Sequence, residues 1–163
     1  MAAKTKTKRT PVSRKAKARR APAAAKSWSL PTRQQPETLR LRAATPGFTV
    51  NDIEKSLAWY RDVLVFRVKE RWERDGRLRG VEMQAGSVSF YLGQDDWQKG
   101  RDRKKGEGFR IYCTTAQDLD AVAGAIKARG GVLEHEPEDV PWGGREFAIV
   151  DPDGFKITIA TEG

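Results

Sequence analysis

One order of elements occurs twice in this chain, and few folds can accommodate it. Each copy reads as a strand, a capped amphipathic helix and then three strands. The stretch Val50–Phe66, VNDIEKSLAWYRDVLVF, carries the first helix. Asn51 is placed to cap it, with Glu54 three residues on to close a capping box. Ile53, Leu57, Tyr60 and Leu64 then fall on one apolar stripe. In the second copy Thr115 is the expected cap, with Asp118 at the box position. Leu119, Val122, Ala123 and Ile126 form its stripe, and Gly130 ends the helix. The two caps lie 64 residues apart. Such stripes are buried against a sheet, so an α+β fold of paired βαβββ modules is predicted.

The strands are read from alternation and turn residues. Leu39, Leu41 and Ala43 alternate with Arg40 and Arg42 as a first strand, interrupted by Pro46 and Gly47 before Val50. Val65–Trp72, Leu78–Gln84 and Ser87–Leu92 follow the first helix, with Asp75-Gly76 a hairpin signal and Ala85-Gly86-Ser87 a turn. The second copy opens with Gly108–Thr115 and closes with Val132–Glu136, Arg145–Val150 and Phe155–Ala160. Pro141-Trp142-Gly143-Gly144 and Asp151-Pro152-Asp153-Gly154 separate its last three strands. Between the copies, Gly93–Glu107 is a polar connection of the length found in functional or mobile loops, and Trp97 within it has no apolar pattern around it.

Charge divides the chain differently. The formal net charge is +9, yet through Gln35 there are 11 Lys or Arg and no acid, whereas the remaining 128 residues hold 20 basic and 22 acidic side chains. The basicity belongs to a tail, residues 1–38, and the folded domain is expected over residues 39–163. Runs such as KTKTKRT, SRKAKARR and APAAAKS offer almost nothing apolar to bury, so the tail is expected to be disordered. Lys4, Lys6, Lys8, Arg9, Arg14, Lys15, Lys17, Arg19 and Arg20 suit DNA or RNA phosphates through counterion release, with Trp28 available to stack on a base. A solubilising extension and an organelle transit peptide are the other readings of the same run. No apolar run approaches the ~20 residues that span a bilayer, and no export signal is visible. One cysteine, Cys113, excludes an intrachain disulfide. The expected compartment is the cytoplasm, with nucleoid association if the tail holds DNA.

VNDIEKSLAWYRDVL from Val50 to Leu64 and WGGREFAIVDPDGFKITIA from Trp142 to Ala160 carry a family resemblance. From about Leu39 to Ala160 the chain resembles the vicinal-oxygen-chelate superfamily, the glyoxalase, bleomycin-resistance and extradiol-dioxygenase group. The resemblance implies βαβββ modules whose mixed sheets curl into a cup, usually within a homodimer, with a small molecule or a metal held inside. Metal-using members place His or Glu on cup-facing positions of four strands. The matching positions here are Thr45, Tyr91, Arg110 and Thr158, none an ordinary divalent-metal ligand. The chain has a single histidine, so a two-His site cannot form within one subunit. The routes left to a metal are an all-carboxylate site on Glu82 and Glu146, which no spacing supports, or ligands shared across a dimer. No cofactor is expected, and a divalent metal enters only in the alternative reading below.

Alternation turns Trp72, Tyr91, Arg110 and Tyr112 toward the cup. An inward guanidinium requires an anion, which is either Glu82 or Glu146 or a ligand carboxylate or phosphate. Trp142 stands at a module's mouth as a lid or as a plug for the open end of the core. Asp151 and Asp153 resemble a catalytic pair but belong to a tight-turn sequence. His135, in LEHEPED, reads as an exposed strand-end residue, and Cys113 as a buried, inert thiol. The leading expectation is a metal-free small-molecule binder similar to the antibiotic-resistance members, its ligand anionic if Arg110 takes part. The alternatives are a glyoxalase-like metal-dependent lyase or isomerase or a dioxygenase, and a nucleic-acid-associated protein.

Overall fold

The computed structural model describes residues 43–161. The basic residues of the tail, Leu39 and Leu41 lie outside them. Among the described residues the first module comprises β1 (Gly47–Val50), α1 (Ile53–Asp62), β2 (Arg67–Arg74), β3 (Arg77–Ala85) and β4 (Val88–Gln94). The second comprises β5 (Arg110–Thr115), α2 (Leu119–Ala128), β6 (Leu133–Asp139), β7 (Arg145–Val150) and β8 (Lys156–Thr161). The strand orders are β1-β4-β3-β2 and β5-β8-β7-β6. In both sheets the first strand runs parallel to the fourth and the other pairings are antiparallel. One topology occurs twice, in two open mixed sheets. No described helix is long and apolar enough to cross a membrane.

Both helix caps differ from expectation. Asp52 caps α1, its Oδ1 accepting the N–H groups of Glu54 and Lys55 at 3.1 Å. Asn51 is unsuited to the role because its backbone has distant partners. Its N–H donates to Asp153 Oδ1 at 2.8 Å, and its carbonyl accepts from Gln94 Nε2 at 2.8 Å. Asp118 caps α2 through the N–H groups of Asp120 and Ala121. Thr115 instead accepts the Gln117 N–H, forming a turn ahead of the helix. The predicted stripes are otherwise buried: Ile53, Leu57 and Tyr60 on α1, and Leu119, Ala123 and Ile126 on α2. Gly130, at φ +86°, takes the left-handed conformation that ends α2. The first strand starts at Gly47, after the interruption noted above, and Thr45 precedes it.

Aromatic packing joins the modules. Phe48 of β1 stacks on Phe155 at 4.5 Å between ring centroids and meets Phe90 at 5.3 Å and Phe109 at 6.1 Å. The Asp151–Gly154 turn adds a polar staple. Asp151 Oδ1 accepts the N–H groups of Asp153 and Phe155, while its Oδ2 accepts the Tyr60 hydroxyl of α1 at 3.1 Å. Asp153 accepts from Asn51 N–H and from Ser56 Oγ. These acids tie the second module to the first helix.

The long connection after β4 is organised around a buried acid. The Asp95 carboxylate has the Arg103 Nη2 and Lys105 Nζ atoms 2.7 Å from its Oδ2 and the Trp97 N–H on its Oδ1. Lys105 approaches off the line that a hydrogen bond needs, so its contact is an ion pair. Arg101 and Lys105 lie 4.6 and 5.2 Å from the centre of the Trp97 ring. This explains an isolated tryptophan in a polar run: it stacks against cations rather than entering the core. Gly106 then passes so close to the Gly154 carbonyl that an added Cβ would overlap it.

Candidate functional site

The site is built from the sheet faces turned away from the helices. In the first sheet Val81, Met83, Phe90 and Leu92 are buried and α1 packs on β3 and β4. Alternation therefore turns Gly80, Glu82, Tyr91 and Gly93 to the opposite face. Glu82 lies opposite Tyr91, and Tyr91 opposite Gly47. Trp72 lies opposite Gly80, where a Cβ would stand 3.0 Å from the indole. The Trp72 ring meets Tyr91 edge-on at 5.6 Å. Lys69, within a register shift of β2, places its Nζ 2.6 Å from Glu82 Oε1. That hydrogen bond holds the Glu82 carboxyl below the usual carboxylate range, against the opposing effect of burial.

In the second sheet Phe147, Ile149 and Ile157 are buried on the side where α2 packs. Arg110, Tyr112, Lys156 and Thr158 occupy the other face, Arg110 opposite Lys156 and Tyr112 opposite Thr158. Arg110 Nη1 donates to the hydroxyl of fully buried Thr158 at 2.9 Å. Its Nη2 donates to Glu134 Oε2 at 3.1 Å, and Lys156 Nζ donates to Glu134 Oε1. Lys156, and then Arg110, hold the Glu134 carboxyl below its ordinary range. Beside this cluster is a cavity of about 430 Å³ lined by Arg110, Lys156, Phe109, Gly106 and Gly108, among others. A larger cleft of about 680 Å³ lies along α2, walled by Ala121, Val122, Ala125 and Val88. Its two charged residues are already used, Asp118 as the α2 cap and Arg129 on the Val63 carbonyl. The smaller cavity borders the Arg110–Lys156 pair and is the better candidate for a charged ligand.

These residues do not fit a divalent cation. Of the four positions that the resemblance assigns to ligands, Arg110 presents a guanidinium and Thr158 a hydroxyl already accepting from it. Thr45 precedes β1, and Gly47 rather than Thr45 pairs with Tyr91. Glu82 and Glu134 are engaged by Lys69 and by the Arg110–Lys156 pair. Among the described residues no three of His, Cys, Asp and Glu converge.

Residues 42–159 match the model of the Glyoxalase/Bleomycin resistance protein/Dioxygenase superfamily. The chain belongs to this superfamily. A Vibrio cholerae serotype O1 relative named "Probable lactoylglutathione lyase" is 30% identical over 118 residues, covering 68% of this chain and 83% of that protein. A solved superfamily member from Sphaerobacter thermophilus aligns with a TM-score of 0.61 at 26% identity, over 76% of this chain and 100% of that one. The lactoylglutathione lyase of Agrobacterium tumefaciens shares the fold, with a TM-score of 0.53 at 19% identity over 73% and 92% of the two chains.

Within this superfamily fold, some site expectations change. The Arg110 partner is neither Glu82 nor Glu146: it is Glu134, together with Thr158. Glu82 is on the other sheet with Lys69, and Glu146 lies opposite Ala160 and Glu138. Trp142, in the Val140–Gly144 turn, is 76% exposed and does not plug the core. Tyr112 is 64% exposed on the same face as Arg110. His135 has Glu138 Oε1 at 3.6 Å near the sheet edge. Burial raises the pKa of the Cys113 thiol and keeps it protonated. Lys69, Glu134 and Lys156 were missed. Period-2 spacing from Thr158 points to Lys156, whereas Lys69 sits in a bulge that breaks the alternation.

Proposed function

We propose that this chain is a metal-independent, small-molecule-binding member of the superfamily, with its cup completed by a second copy. The observation that carries the reading is Arg110. A guanidinium stands at a position that the family resemblance assigns to a metal ligand, and it hydrogen-bonds to Thr158, which the resemblance assigns to another. A divalent cation there would be repelled by a fixed positive charge, whereas an anionic organic ligand would be attracted and an uncharged one would not be opposed. Half-exposed Trp72 and Tyr91 on one sheet and exposed Tyr112 on the other supply the aromatic surface such pockets use. The case for a homodimer is that every residue of β2 is exposed, in a strand that ends its sheet and leaves an unpaired edge.

The second reading, a glyoxalase-like lyase, is favoured by the name of the Vibrio relative at 30% identity. Elemental analysis after purification without chelator separates the two. Less than about a tenth of an equivalent of Zn, Ni, Fe and Mn per subunit is expected. About one equivalent, lost on mutation of Tyr91 or Glu82, would sink the metal-independent reading. Light scattering at tens of micromolar should give a dimer mass, and a monomer would remove the shared cup.

A further inference from the structure

Building on that reading of the cup, we infer that its ligand is an aromatic carboxylate, with the carboxylate on Arg110 and Lys156 in competition with Glu134 and the ring against Tyr112. The first support is the donor count. A guanidinium has five N–H donors and an ammonium three. Arg110 uses one on Thr158 and one on Glu134, and Lys156 uses one on Glu134. More than half remain free, and the three side chains are 30–40% exposed, so those donors can reach solvent or a ligand.

The second support is geometric. Glu134 bridges the two cations with separate oxygens, Oε2 toward Arg110 and Oε1 toward Lys156. The pair is therefore already spaced for one planar carboxylate, and Glu134 is the internal occupant that a ligand has to displace or share with. The charge balance favours an anion: two cations face one acid. Glu82 is engaged by Lys69, and Glu107, which lines the same cavity, faces Lys104 at 3.6 Å.

The third support is the room beside the cluster. The cavity of about 430 Å³ leaves the two cations open on the side of Gly106–Phe109, and Tyr112, which does not line it, flanks them on the other side along β5. Tyr112 follows Arg110 by two residues on the same face, about 7 Å along the strand, and its ring is largely exposed. A ligand with its carboxylate on the cations can lay an unsaturated body on that ring.

The test uses the full chain, with benzoate, isosteric but neutral benzamide, and inorganic phosphate as probes, and reads Kd by NMR titration with side-chain signals of Arg110. Benzoate should bind about tenfold or more tighter than benzamide, because charge-assisted hydrogen bonds are lost in the amide. Arg110→Gln should erase that difference. Glu134→Gln should tighten benzoate several-fold and leave benzamide unchanged, since the internal competitor is gone. The wild-type comparison needs no variant, so a variant that fails to fold does not remove the test. Equal binding of benzamide, no benzoate binding, tighter binding of phosphate, or weaker benzoate binding by Glu134→Gln each overturns the assignment. Neutral ligands that quench Trp72 while benzoate fails would leave the cup reading standing without this ligand class. No small molecule of any charge reaching Trp72 or Tyr91 would remove the cup itself.

Discussion

Replacing Tyr60 with Phe removes a single oxygen from the place where the modules are joined. Tyr60 is fully buried on α1, and its hydroxyl donates to Asp151 Oδ2 across 91 positions of sequence. Asp151 keeps the Asp153 and Phe155 N–H groups on its other oxygen. Oδ2 is then left in the interior without a partner. Hydrogen bonds to charged groups contribute ~1.5–3 kcal/mol, and an orphaned buried acceptor puts this one in the upper half, about 2–3 kcal/mol. For a chain of this size that corresponds to a fall in Tm of roughly 5–10 °C. Tyr91→Phe, on an open sheet face, should change stability by less than about 0.5 kcal/mol.

The deficit should also depend on pH in a set direction. Burial raises the Asp151 carboxyl pKa, against the downward pull of the N–H and hydroxyl donors. An acid raised on folding holds its proton in the native state at a pH where the unfolded chain has lost it, so stability falls as pH climbs through that window. The Tyr60 hydroxyl favours the ionised form, and its removal raises the carboxyl further. The Tyr60→Phe deficit should therefore grow with rising pH and level off above the new, higher value. Urea unfolding at about pH 4 and about pH 8 measures it. A deficit below about 0.5 kcal/mol, or one equal at both pH values, would refute the staple.

Two further outcomes are expected. The Lys105 ammonium and the Trp97 N–H hold the Asp95 carboxyl at about 2, so its stabilisation is fully present above the ordinary carboxylate value and is lost as pH falls toward about 2. Asp95→Asn should lower Tm at neutral pH and flatten the acid limb of a Tm–pH profile; an unchanged limb would mean that the knot around Trp97 is not ionic. For the tail, eleven cations without an acid through Gln35 should bind duplex DNA of any sequence, with log K falling against log salt at a slope of roughly −5 to −7. Fluorescence anisotropy on full-length and 36–163 chains checks this, and equal binding by the shorter chain would move the contact to Lys99–Lys105.

The architecture was legible because both periodicities are strong and local. Two capped stripes and six alternating runs after them sufficed for paired βαβββ modules, and the second strand of each sheet was misplaced by only a few residues. Asp75-Gly76 was legible for the same reason, since both residues adopt the positive φ that the hairpin requires. The caps were not, because Asn51 and Asp52 are both capping residues, and what sets Asn51 one step outside the helix is its backbone pairing with Gln94 and with Asp153, the latter 102 residues away. No window of sequence around Val50 contains that acid. The Asp95 knot escaped for a related reason: a run of alternating charges reads as solvated until one of its acids is seen to be buried.

Arg110 shows where alternation stops being informative. Period 2 correctly assigns it to the face with Tyr112 and Thr158, but says nothing about which strand lies beside which. Faces alone admit Glu146 as a partner, since it lies opposite Ala160 on the same side of the sheet. The order β5-β8-β7-β6 puts two strands between Arg110 and Glu134, and the ion pair spans them beside the small, fully buried Thr158, which accepts from the same guanidinium. A small side chain at this place thus leaves room for a long acid and a long base to meet. A bulky residue there would crowd the guanidinium and cost it the hydroxyl as well. The cluster therefore depends on Thr158 as well as on Arg110. A relative with a large side chain at this position should lack the cluster even if it kept both basic residues.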